Sequence, residues 1–249
     1  MNSKIIAIVQ ARMSSTRLPG KVLKTLLSKP VIKHVIDRLL SSKYIDQVVV
    51  ATTHNYEDDK LAEWCKKNHI ECFRGDSEDV LLRFYECGKK YEADGIVRVT
   101  SDNPLVDPVI IDKTIDLFYR QKADYGCNNL KKTFPHGLDV EVITKEGLHE
   151  SHIKATEPFE REHVTQFIRH RPKKYHLCNL SSDENWHKIR LTLDDETDFQ
   201  LIELVMVLLG EDAGFIALKD LFSKFPSLLK INLEARDWHA DYNKNQNII

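Results

Sequence analysis

The sequence predicts an α/β protein with a mostly parallel central sheet and helices on both faces. Three observations carry that expectation. Short apolar runs of strand length alternate with amphipathic segments of helical period through the first half of the chain. The first run, Ile5-Ile6-Ala7-Ile8-Val9, is apolar at every position, as a strand covered on both faces would be. The segments between runs are long enough for helical crossovers, which return right-handed and leave successive strands parallel.

Taken in order, Ile5 to Val9 forms the first strand. Val31, Ile32, Val35, Ile36, Leu39 and Leu40 recur at helical spacing. Val48 to Ala51 is a second strand, and Leu61, Ala62, Trp64 and Cys65 mark a short helix. Ile70 to Phe73 is a brief strand, and Val80, Leu81, Phe84, Tyr85 and Gly88 give a third helix face. Ile96 to Thr100 is a strand. Pro108 to Tyr119 is a fourth helix, with the proline in its first turn. The second half is less regular. Asp139 to Ile143 alternates polar and apolar, the pattern of a half-exposed strand. Glu157 to Arg171 reads as a helix, Ile189 to Leu193 as a strand, and Phe199 to Leu209 as an apolar helix. No repeat or linker interrupts the chain. One domain over 1–240 and a flexible tail over 241–249 are expected.

Composition narrows the function. The 249 residues are 42% hydrophobic and 30% charged, as in ordinary globular proteins. The net charge of −2 disfavours wholesale nucleic-acid binding, which usually asks for a basic excess. No apolar run reaches the ~18 residues of a membrane span. Met1 to Lys4 lead into an apolar stretch too short for a secretory core, so no signal peptide is expected. Cys65, Cys72, Cys87, Cys127 and Cys178 are scattered and odd in number, which suits free thiols in a reducing cytoplasm.

The most informative segment follows the first strand. Gln10-Ala11-Arg12-Met13-Ser14-Ser15-Thr16-Arg17-Leu18-Pro19-Gly20-Lys21 places cations and hydroxyls together at a strand's carboxyl end, where open α/β sheets bind ligands. A polyphosphate needs such donors. Val22 after Lys21 and the lack of a glycine pattern exclude a Walker A loop. A solvated basic turn is the plain alternative. Asp102, in Thr100-Ser101-Asp102-Asn103-Pro104, stands at a second strand end. Asp194 and Asp195 stand at a third. Mg²⁺ takes one or two carboxylates plus phosphate oxygens and water, so acids facing a cationic loop suggest metal-assisted chemistry on a nucleotide. The plain readings are a turn aspartate and helix N-terminal acids.

At this point the chain resembles a known family. Residues 8–23, Ile-Val-Gln-Ala-Arg-Met-Ser-Ser-Thr-Arg-Leu-Pro-Gly-Lys-Val-Leu, are similar to the signature of cytidylyltransferases of the spore-coat polysaccharide biosynthesis type, relatives of the CMP-Kdo and CMP-sialic acid synthetases. Five further motifs follow in order. They are Phe73-Arg74-Gly75 with Glu78-Asp79-Val80-Leu81; Arg98 to Pro104; Pro135 to Glu141; Thr156 to Thr165; and Arg190 to Asp194. The likeness spans roughly 4–210. It implies the nucleotide-diphospho-sugar transferase (Rossmann-like) fold, CTP as donor and Mg²⁺. It also implies direct attack of an acceptor oxygen on the α-phosphorus, with pyrophosphate leaving. By position, Arg12 and Lys21 would hold the triphosphate, and Ala11, Ser14, Ser15 and Arg17 would line it. Asp102 would bind Mg²⁺. Asp194 matches the second acid of the family, with Asp195 beside it as the alternative. Arg74 and Ser77 match the region near the cytosine.

For the acceptor, His136, Asp139 and Glu141 lie in an alternating segment, and Asp139 and Glu141 share a face that would bind sugar hydroxyls. Arg161 and His163 would bind a carboxylate or phosphate. Exposed strand or helix charge is the plain alternative for both groups. A zinc site of His149, His152 and His163 lacks any recognised spacing.

The expected function is transfer of CMP from CTP to a sugar or sugar acid, 3-deoxy-octulosonate- or nonulosonate-like, for a surface glycan. The chain would be cytoplasmic, with a homodimer through its C-terminal half as a further expectation. The alternatives are a nucleotidyltransferase acting on a sugar phosphate or polyol phosphate, and a non-catalytic nucleotide-binding subunit. A glycosyltransferase would commonly need an Asp-x-Asp motif, and Ser101-Asp102-Asn103 is not one.

Overall fold

The computed structural model describes residues 3–233. The elements run β1 (Ile5–Gln10), β2 (Thr25–Leu26), β3 (Lys29–Pro30), α1 (Val31–Leu40), β4 (Gln47–Thr53), α2 (Asp59–Lys67), β5 (Glu71–Gly75), α3 (Val80–Lys90), β6 (Gly95–Thr100) and α4 (Pro108–Gln121). Then follow β7 (Tyr125–Cys127), β8 (Glu141–Thr144), α5 (Lys145–Lys154), α6 (Pro158–Glu162), α7 (Gln166–Arg169), β9 (Leu177–Asn179), α8 (Glu196–Leu209) and α9 (Phe215–Lys224).

β1 is apolar from Ile5 to Val9 because it is buried from both sides. It pairs in parallel with β4 on one edge and β6 on the other. Ile5, Ala7 and Val9 point into a core closed by α1, α2, α4, α8 and α9. Ile6 and Ile8 point into a second core under α3, α5 and α7. The seven-stranded sheet has the order β5-β4-β1-β6-β8-β7-β9. β5 joins β4 in parallel, whereas β8 runs antiparallel to both β6 and β7. The chain moves from β1 toward β5 and then returns to place β6 on β1's other side. That reversal opens a crevice at the carboxyl ends of β1 and β6, the usual ligand position in such sheets.

Several expected boundaries shift. Ile70 lies just before β5. Leu40, expected on the buried face of α1, is 59% exposed. The alternating segment 139–143 is not a half-exposed strand: β8 starts at Glu141, and Glu141, Val142 and Ile143 are all buried. β8 sits inside the sheet with a core on each face, so alternation there separates two buried faces rather than core from water. The single helix expected over 157–171 is two, because Val164 takes φ 57° between α6 and α7. Residues 189–193 form no ladder strand. The segment is extended and bonds to two loops, with Leu191 N–H donating to His136 O (2.7 Å) and Leu193 N–H to Asp102 O (2.8 Å). β7, β9, α5 and α9 were not foreseen. The tail 241–249, and the part of 1–240 outside 3–233, lie outside the described residues. Among the described residues no helix is long and apolar enough to cross a membrane.

Candidate nucleotide site

The loop after β1 is tied down at its start. Ala11 N–H donates to Ala51 O (3.1 Å), and Met13 N–H donates to Asp58 Oδ1 (2.6 Å). Asp58 is 2% exposed, and its other oxygen accepts from the Thr53 N–H and hydroxyl at the end of β4. One buried carboxylate therefore couples the loop to the neighbouring strand end. Sequence reasoning missed Asp58, since a lone acid before a helix carries no local signal. Farther on, Gly20 N–H returns to Met13 O (3.0 Å), which folds the loop back and turns Lys21 inward.

Lys21 is 8% exposed. Its ammonium donates to Asp102 Oδ2, Asp194 Oδ1 and Leu193 O, each at 2.8 Å. These three acceptors use all three ammonium protons. Burial opposes the charge on Lys21, but Asp102 and Asp194 outweigh it and raise the pKa. The loop after β6 supplies Asp102. The extended segment 189–194, hydrogen-bonded to that same loop, supplies Asp194.

Asp194 carries three cations: Lys21, Arg17 (3.0 Å) and Arg190 (2.6 Å). Burial alone would raise its pKa; Lys21 and Arg17, with Arg190, hold the carboxyl well below the usual range. Arg190 is in turn fixed by Asp198, which is fully buried and also receives Asn232 Nδ2 (2.8 Å). Arg190 was quoted in a motif but given no role. Its place four residues before Asp194 was the available signal. Asp195 turns away and caps α8, accepting from Thr197 and Asp198 N–H. Of the two adjacent acids, Asp194 is the one that faces Lys21.

The Asp102 Oδ1 oxygen accepts no hydrogen bond from the described residues, and its side chain is 24% exposed. That oxygen fits a hard cation sharing phosphate oxygens and water. At Asp194 such an ion would compete with three cations, of which Arg17 is the most exposed. Arg12 and Ser14 are exposed, and Ser15 is half-buried. Among the described residues Arg12 makes no ion pair or hydrogen bond.

Other expected site residues lie elsewhere or are already occupied. Arg74 donates to Thr53 O (2.8 Å) and Asn55 O (3.0 Å) and pairs with Asp59 (2.6 Å), so it braces the loop after β4. Ser77 is half-buried in the loop before α3. Arg161 is not a helix-surface cation open to an acceptor anion. It grips Asp79 and the carbonyls of His152 and Ala155, tying α6 to the start of α3. Glu141 is not on an exposed face. It is 5% exposed, pairs with Arg98, and accepts from Tyr125 and Thr165 hydroxyls (2.6 Å each) and Arg169 (3.2 Å). Burial opposes its charge, but Arg98 and Arg169 prevail and its pKa falls to about 2.

Asp139 accepts from Gly137 N–H (3.1 Å) and Asn129 (3.2 Å), with His136 at 3.8 Å. His163 packs on Phe159, and burial pushes its pKa down, leaving it neutral near pH 7. His149 and His152 both pack on Tyr85, which accounts for two of the three histidines of the zinc reading.

Comparison with known proteins identifies the family. A family model described as Cytidylyltransferase matches residues 6–221. An uncharacterized protein of Methanocaldococcus jannaschii is 37% identical over 238 residues, 94% of this chain and 96% of that protein. The spore coat polysaccharide biosynthesis protein SpsF of Bacillus subtilis is 36% identical over 214 residues, 83% of this chain and 88% of its own. A cytidylyltransferase structure from Leptospira borgpetersenii superposes with a TM-score of 0.87 at 32% identity, covering 91% of this chain and 97% of that one. The match runs through the β1 loop, both strand-end acids and α8 alike, so the chain belongs to the cytidylyltransferase family and is a nucleotidyltransferase.

Proposed function

We propose that the enzyme transfers CMP from CTP to a sugar or sugar acid, 3-deoxy-octulosonate- or nonulosonate-like, and releases pyrophosphate for surface-glycan synthesis. The observation that carries this reading is Lys21 clamped between Asp102 and Asp194, at the end of the loop that also carries the exposed Arg12. An acceptor oxygen would attack the α-phosphorus as the bond to pyrophosphate breaks, and negative charge would build on the leaving group. Catalysis of such a transfer is mostly positioning and charge stabilisation. Arg12 and Lys21 would neutralise the leaving group, with Ala11, Ser14, Ser15 and Arg17 lining the phosphates. Losing one such cation would cost on the order of 3 kcal/mol in the barrier. Asp102 and Asp194 would hold Mg²⁺, which would supply further positive charge at the phosphates. His136, Asp139 and His163 are the groups proposed for the acceptor. This reading also takes the chain as one cytoplasmic domain that dimerises through its C-terminal half, where Val207, Leu208 and Ile216 stand exposed. Sedimentation analysis checks the dimer.

The deciding experiment is calorimetric titration with CTP, UTP, GTP and ATP in Mg²⁺, on the wild type and Asp102→Ala. Selective CTP binding whose Mg²⁺ dependence disappears in the variant supports the reading, and acceptor screening by pyrophosphate release follows. Preference for another nucleotide moves the assignment to a sugar phosphate or polyol phosphate. Binding of none of them refutes it.

A further inference from the structure

We propose that Arg83 is a phosphate-binding residue of the nucleotide site, forming with Arg12 an anion clamp separate from the Lys21 cluster. The proposal rests on the nucleotide reading above. It starts from an anomaly of burial. Arg83 lies near the start of α3, is 2% exposed, and is among the largest fully buried side chains. A buried guanidinium is ordinarily paired with a carboxylate, because desolvating the charge is costly. Among the described residues Arg83 has no ion pair. Its Nη1 donates to Asp76 O (2.5 Å), its Nε is buried without a partner, and its Nη2 donates to no described residue.

The nearby acids are engaged elsewhere. Asp79 is gripped by Arg161, and Asp58 is filled by Met13 N–H and Thr53. They offset the charge on Arg83 through space without touching it. Burial lowers the Arg83 pKa, and the positive charge of Arg12 lowers it further, so the two guanidinium groups lie close enough to repel. Both stand near the carboxyl ends of parallel strands, one in the loop after β1 and one above the end of β5, with β4 between them. Two cations that sense each other, neither held in an ion pair among the described residues, suit an anion.

The backbone makes room for the arrangement. A Cβ at Gly75, the last residue of β5, would meet Arg83 Cγ at 2.9 Å. A side chain at that position would push the arginine stem away from the loop it reaches. Lys21 gives the contrast. Its three protons are already taken, so it gains a phosphate contact only by releasing an acceptor. Arg83 and Arg12 need release nothing.

The test compares wild type, Arg83→Gln and Arg83→Lys by calorimetry with tripolyphosphate, CTP and cytidine, in Mg²⁺, after thermal melts establish that each variant is folded. A charge-assisted contact of this kind predicts about a tenfold or greater loss of tripolyphosphate and CTP affinity in Arg83→Gln. Arg83→Lys should recover most of it, and cytidine binding should stay the same in all three. Unchanged tripolyphosphate affinity in folded Arg83→Gln overturns the proposal, and so does an equal loss for cytidine. If Arg83→Gln does not fold, the wild type decides by NMR. The Arg83 Nε–H resonance, assigned by its absence in Arg83→Lys, should move with tripolyphosphate and not with cytidine; a resonance that stays put overturns the assignment. A wild type that binds no CTP sinks the nucleotide reading itself. CTP binding that is equal in wild type and Arg83→Gln sinks only the role of Arg83.

Discussion

Glu141→Gln separates an anchoring carboxylate from one that binds substrate. The substitution keeps the shape and removes the charge. In the fold, Glu141 faces Arg98 and Arg169 and accepts from Tyr125 and Thr165. An amide in that place offers one acceptor and turns an N–H toward groups that are themselves donors. Two mostly buried guanidinium groups lose their shared counter-ion, and breaking such a pair costs roughly 3–5 kcal/mol. The depressed pKa points the same way. A pKa of about 2 against an ordinary 4.5 corresponds to roughly 3 kcal/mol favouring the ionised form in the fold. For a chain of this length that loss lowers Tm by roughly 6–20 °C.

The sign with pH follows from the depressed pKa. Ionised Glu141 stabilises the fold fully above about pH 4.5, and the contribution disappears as the pH falls toward 2. The gap between wild type and variant should therefore be widest near neutrality and should narrow through that window. The assay is thermal unfolding from pH 7 down to pH 3, with CTP and acceptor KM measured at pH 7. A Tm within 2 °C of wild type at neutral pH, together with a raised acceptor KM, would refute the anchoring role and restore the substrate-binding one.

Two further outcomes follow from the same geometry. Asp194→Asn should lower kcat by at least about a hundredfold, because it releases Arg17, Arg190 and half the clamp on Lys21, whereas Asp195→Ala should cost about 1 kcal/mol of stability through the lost helix cap and leave kcat within about threefold; side-by-side kinetics and melts check the contrast, and equal kcat losses would contradict it. Gly137→Ala should destabilise by about 3 kcal/mol or more, since Gly137 sits at φ 106° and a Cβ there would lie 2.4 Å from Leu191 C, in the segment that delivers Asp194; denaturant titration reads the loss, and an unchanged midpoint would show that the segment is not pinned at that point.

Much of the fold was legible because strand and helix periods are local properties. Ile5 to Val9 of β1 are all apolar, and the faces of α1, α3 and α4 repeat at helical spacing, so those elements and their alternation could be read directly. The β1 loop and Asp102 could be placed at strand ends for the same reason, whereas Asp194 follows a segment that forms no ladder strand. The failures share a cause. Alternation over 139–143 marks two faces but does not say what covers them, and β8 proved to be an inner strand buried on both. A run of helical composition over 157–171 does not reveal that Val164 breaks it at positive φ.

Local periodicity and residue type set the α/β alternation, the cation-rich loop after the first strand, and the acid after β6. Which charge meets which depends on packing. Lys21 reaches Asp194 across 173 positions of chain, and Arg161 reaches Asp79 across 82. Four arginines of similar appearance in the sequence have different fates: Arg12 exposed, Arg83 buried without an ion pair, Arg161 tied to a helix start, and Arg169 joined to a buried carboxylate. The physical reason is that a side chain's period is set by its own backbone. Its burial, its partner and its pKa are set by elements far away in sequence, which the crossovers and the antiparallel return of β8 bring alongside.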